Sequence, residues 1–104
     1  MNPVVGLDIA KGESQVQGFL DKKKPYKTSF KILHTLDGLE KLLHFLIDIE
    51  NNTGVRPQVI LESTGHYQAP VVQYLDKKGY LTIIVNPLIP YKAKSSNLRK
   101  VKTD

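Results

Sequence analysis

Val4-Val5-Gly6-Leu7-Asp8-Ile9-Ala10 reads as a β-strand with one acid set in it. A second apolar run, Val59-Ile60-Leu61-Glu62-Ser63-Thr64-Gly65, ends the same way. Strand cores avoid carboxylates, because burying an unpaired charge costs roughly several kcal/mol unless something neutralises it. Asp8 looks buried on this reading, and acids in two separate core strands point to a shared use, most simply a divalent cation. In the first strand, residues 3–10, Val5, Leu7 and Ile9 share one face, while Val4, Gly6, Asp8 and Ala10 share the other.

Working outward, residues 14–20 and 26–32 read as second and third strands, joined by the lysine-rich turn that ends at Pro25. Short connections make these three strands an antiparallel meander. A first helix starts near Thr35 as N-cap, with Asp37 and Glu40 placed for the helix dipole. Leu36, Leu39, Leu43 and Leu46 form its stripe, widened by Leu42, Phe45 and Ile49, and Asn51-Asn52-Thr53-Gly54 stops it. Full burial of such side chains contributes about 1.5–3 kcal/mol each, enough to hold the helix on a sheet.

Residues 59–62 form the fourth strand. A second helix is expected from about His66 to Lys78, with Val71, Val72 and Leu75 inward and Gly79 as its stop. Residues 80–85 read as a fifth strand, continuous and β-branched enough to be central. The order β-β-β-α-β-α-β is a meander followed by two right-handed crossover units. It predicts an α/β, ribonuclease-H-like mixed sheet of five strands, ordered 3-2-1-4-5, with Asp8 and Glu62 near one carboxyl edge.

The 104 residues suit one domain, and a 40% hydrophobic, 24% charged composition is that of an ordinary globular protein. With no cysteine, disulfides and thiolate metal sites are excluded. No apolar stretch reaches the ~18–20 residues of a membrane helix, and no signal-peptide pattern opens the chain. The net charge of +5 favours an anionic partner. Much of it lies between Pro90 and Asp104, where Lys92, Lys94, Arg99, Lys100 and Lys102 face one acid; this stretch is assigned to phosphate contact. Lys22-Lys23-Lys24 reads as a solvated hairpin tip.

Two carboxylates ~4 Å apart repel by about 4 kcal/mol at an effective dielectric near 20, so a proton or a cation sits between them. Oxygen-only ligation suits Mg²⁺ or Mn²⁺ and argues against zinc or copper. Such ions clamp the attacking and leaving oxygens of in-line phosphoryl transfer. The plain alternative for Glu62 alone is a helix cap or a lysine partner. Ser63 and Thr64 read first as N-caps of the second helix, and Thr64 secondarily as a phosphate contact at its positive end. His34, His44 and His66 do not cluster and read as surface residues; Tyr67 and Tyr91 read as core fillers rather than base-stacking platforms.

The run Val5-Gly6-Leu7-Asp8-Ile9-Ala10-Lys11, then Leu61-Glu62-Ser63-Thr64-Gly65-His66-Tyr67, Val85-Asn86-Pro87 and Arg99-Lys100-Val101-Lys102-Thr103-Asp104 resembles the DEDD insertion-sequence transposases, relatives of the Piv-type DNA invertases. The four motifs span the chain in order. The resemblance implies a RuvC-like N-terminal catalytic domain using Mg²⁺ or Mn²⁺ on DNA. Asp8, Glu62 and Asp104 match the first three of four acids, and Lys94, Arg99, Lys100, Lys102 and Thr64 become DNA contacts. The family's fourth acid lies three residues past the third, which implies a domain cut within its active site, inactive and weak in metal binding. Members are similar in acting as homo-oligomers in the bacterial cytoplasm, and some use a structured guide RNA. Two other readings stay open. A nucleotide-binding module of sugar-kinase or actin type shares the layout, although Ala10-Lys11-Gly12-Glu13 lacks its glycine-rich loop. A non-catalytic nucleic-acid-binding domain is the other.

Overall fold

The computed structural model describes residues 2–21, 23–63 and 65–86. Its elements are β1 (Val4–Ala10), β2 (Glu13–Asp21), β3 (Lys24–Leu33), α1 (Leu36–Thr53), β4 (Gln58–Ser63), α2 (Ala69–Lys77) and β5 (Thr82–Val85). They build one five-stranded sheet in the order β3-β2-β1-β4-β5, the ribonuclease-H-like arrangement expected from the sequence. β1 runs antiparallel to β2 and parallel to β4, which is parallel to β5.

Alternation in the strands decides which face is dry. Val5, Leu7, Ile9, Val16, Ile32, Val59 and Leu61 are buried in one cluster with Leu39, Leu42, Leu46 and Ile49 of α1 and Val71 and Leu75 of α2. Both crossovers step the same way along the sheet, from β3 to β4 and from β4 to β5. Right-handed connections taken in one direction lay their helices on one face. Both helices therefore cover the Val5 side, and among the described residues no helix covers the other. Nor is any described helix long and apolar enough to cross a membrane.

α1 begins as expected: Thr35 Oγ1 accepts from the Gly38 amide at 3.1 Å, and Gly54, at φ 76°, ends the helix in the left-handed conformation. Its buried stripe is rotated from the expected one. Leu39, Leu42, Leu46 and Ile49 are buried, whereas Leu36, the first helical residue, is 64% exposed. Against β3, the Tyr26 hydroxyl donates to Asp48 Oδ2 at 2.6 Å, and the Phe30 and Phe45 rings meet edge to face with centroids 4.9 Å apart.

Other expectations need correction. α2 starts at Ala69 and not at His66, since Pro70 has no amide to donate and fits only the first helical turn. Ser63 consequently belongs to β4 and caps nothing. β5 is an edge strand, with Ile83 and Ile84 40% and 52% exposed. Its apolar run, read as the mark of a central strand, has no further strand beside it among the described residues. The β2–β3 hairpin is tighter than expected, Asp21 pairing directly with Lys24.

Gly38 gives a direct test of how α1 docks. A Cβ there would land on the Leu33 carbonyl oxygen, backbone that cannot step aside. Gly38→Ala should therefore destabilise by about 1–3 kcal/mol, as overpacking does. Helix propensity alone predicts a gain of about 1 kcal/mol. Urea unfolding followed by circular dichroism separates the two, and a stabilised variant would refute the close approach.

Candidate active site

Asp8 and Glu62 are direct register partners across the parallel β1–β4 pair. Their Cα atoms are thus about 4.8 Å apart, with side chains on the same face. Among the described residues no helix covers that face, and both acids are exposed. The expectation of a buried Asp8 is therefore wrong: the apolar neighbours that made it look buried are the alternate residues, which point the other way. Exposure removes the large desolvation cost and leaves the mutual repulsion of two neighbouring carboxylates. Among the described residues the ion pairs are Lys27–Asp48, Lys31–Glu13 and Arg56–Glu50, so neither acid is in one.

A trough of about 280 Å³ opens beside the acids, with Gly6 on its floor, Gln15 and Gln17 on the β2 side, and Ile60 and Val85 on the other. A Cβ on Gly6 would meet nothing within 4 Å, so this glycine widens the trough rather than relieving a clash. The glutamines are tethered. Gln15 Nε2 donates to Ser29 Oγ at 3.1 Å, and Gln17 Nε2 donates to the carbonyls of Gly18 and Lys27. No motif marks them; the signal that finds them is strand parity, since Gln15 pairs with Asp8 and Gln17 with Gly6.

The donor set fits a hard divalent ion: two adjacent, solvent-reachable carboxylates, with the amide oxygen of Gln15 on the neighbouring strand. Two carboxylates alone are few for such an ion, and no group of three or more histidine, cysteine, aspartate or glutamate side chains gathers among the described residues. Asp104, Thr64, Lys94, Arg99, Lys100 and Lys102 lie outside the described residues.

Comparison with known proteins decides the family. The model of the DEDD transposases of the IS110 group, described as a transposase, matches residues 5–104. The chain belongs to that family. No curated protein matches this transposase chain. Among solved structures, a Ppx/GppA family member of Aquifex aeolicus is 11% identical with a TM-score of 0.41, covering 83% of this chain and 35% of that one. The Aquifex aeolicus PPX-GPPA enzyme is 10% identical with a TM-score of 0.39, at 83% and 36% coverage. The transposase chain thus spans about a third of the length of those structures, and likenesses of this degree carry no argument.

Behind the site, on the helix face, Ser14 pairs with Ile9 of β1 and is almost fully buried. Its hydroxyl shares a 2.7 Å hydrogen bond with His34 Nε2, so His34 is half-buried and structural rather than the surface residue expected. Burial pushes the His34 pKa below that of a free imidazole, with the Glu13 carboxylate opposing more weakly. A folded-state pKa below the unfolded one means that protons favour the unfolded chain. This contribution is complete above about pH 6.5 and is lost as pH falls through the depressed value. Thermal midpoints should therefore drop on acidification below about pH 6.5, less steeply in His34→Gln; equal slopes would refute the coupling.

Proposed function

We propose that residues 1–104 form the RuvC-like N-terminal catalytic domain of a DNA transposase, cutting and joining strands by metal-dependent phosphoryl transfer. The observation that carries this reading is the register pairing of Asp8 with Glu62 on an exposed sheet face, in a chain of the DEDD transposase family. DNA is the proposed partner. Assembly as a homo-oligomer, with or without a structured guide RNA, is part of the same proposal.

The assigned roles are specific. Asp8 and Glu62 would hold Mg²⁺ or Mn²⁺, and Asp104, third in the family's order of acids, would complete the set. When bound, the ion neutralises charge on the attacking and leaving oxygens of the phosphate. The parallel β1–β4 register fixes the backbone spacing beneath the two carboxylates, which limits how far apart they can lie. No described helix stands between a nucleic-acid strand and these acids, and Lys94, Arg99, Lys100, Lys102 and Thr64 are proposed to bind its phosphates.

Asp8→Asn and Glu62→Gln keep shape and remove charge. In the full-length protein each should lower DNA strand cleavage by at least about 100-fold, since even outer partners of a metal site matter on a scale of 10–100-fold. DNA affinity measured in the absence of divalent ions should stay within about twofold. Cleavage at the wild-type rate by either variant would overturn the assignment.

A further inference from the structure

Resting on that reading of Asp8 and Glu62, we propose that their sheet face continues as a track for the DNA strand. Gln15 and Lys31 are its positioning residues, holding the backbone beside the phosphate at the acids. Register puts the four side chains in one row across four strands: Glu62 pairs with Asp8, Asp8 with Gln15, and Gln15 with Lys31. All four are exposed, on the face that no helix covers among the described residues. The row runs across the strands, so Lys31 sits about 10 Å from Asp8 at the backbone. A DNA strand advances about 3.4 Å per nucleotide along its axis, which puts Gln15 and Lys31 within the next few nucleotides.

The chemistry of the row changes along its length, from paired carboxylates suited to a cation, through a carboxamide, to an ammonium. That is the order a phosphodiester strand needs if one phosphate is approached through an ion and a later one by direct charge contact. Gln15 is pre-set for this by its bond to Ser29, which fixes the carboxamide on β2. Lys31 Nζ lies 3.8 Å from Glu13 Oε1, with side chains 57% and 46% exposed. An exposed pair of this kind is worth only about 0–1 kcal/mol, so a phosphate can take the lysine from it. Glu13, one row further along β2 opposite Ala10, is the acid that Lys31 leaves.

The test uses the full-length protein, fluorescein-labelled oligothymidylate read by anisotropy across a salt series, and Mn²⁺ binding read by loss of the free-ion paramagnetic resonance signal. Lys31→Ala should weaken DNA binding several-fold and make the log–log salt dependence shallower by about 0.7, one single-strand phosphate contact. Lys31→Arg should retain the slope. Gln15→Met, which removes the carboxamide without adding charge, should bind DNA several-fold more weakly while Asp8-dependent Mn²⁺ binding is retained, a split that a merely structural glutamine would not give. Lys41→Ala, on the helix side over the Phe30 ring, should match the wild type. A wild-type slope in Lys31→Ala, or wild-type DNA affinity in Gln15→Met, with Mn²⁺ binding still abolished by Asp8→Asn, would overturn the track and leave the metal site standing. Absence of Asp8-dependent Mn²⁺ binding in the wild type would overturn the metal reading itself.

Discussion

Everything in this domain depends on both crossover helices lying on one side of the sheet. Two right-handed connections taken in the same direction give that result, and it divides the strand residues into two populations. The side facing α1 and α2 is dry and aliphatic, with Val5, Leu7, Val59 and Leu61 buried. The other side is wet, and it carries Asp8 and Glu62. A shift of one residue in β1 would turn Asp8 into the core at a cost of roughly several kcal/mol, and Leu7 into solvent. The acids are thus placed by the same alternation that builds the core.

Docking of α1 controls the far end of the wet face as well. Gly18 of β2 leaves room for the Phe45 ring, which a Cβ would meet at 2.7 Å. The Tyr26–Asp48 hydrogen bond then fixes β3 from the dry side. Held from behind, β2 and β3 present Gln15 and Lys31 in line with Asp8. The strands irregular enough to break this line are interrupted beyond it, where the β2–β3 register shifts between Val16 and Gly18.

Much of this was legible in the sequence because it rests on local periodicity. The parity of residues 4–10, the Thr35 cap and the leucines of α1 all follow from periods of 2 and 3.6, and the strand order follows from connection length and handedness. The depth of Asp8 was misread because a run of apolar letters does not reveal which face has a cover. The start of α2 was misplaced through neglect of Pro70, and the composition of β5 suggested a central strand although the expected strand order already put it at the edge. Gln15 and Lys31 carry no motif; they join the acids only through cross-strand register, which depends on turn and bulge geometry. Pairing of Asp8 with Glu62 was foreseeable, because a right-handed crossover sets β4 beside β1.

Crystals of the protein grown with Mn²⁺ and measured at the manganese absorption edge address the central claim directly. The account predicts an anomalous peak between the Asp8 and Glu62 carboxylates, on the sheet face opposite α1 and α2. A peak coordinated elsewhere, with these two side chains turned away from each other, would contradict it.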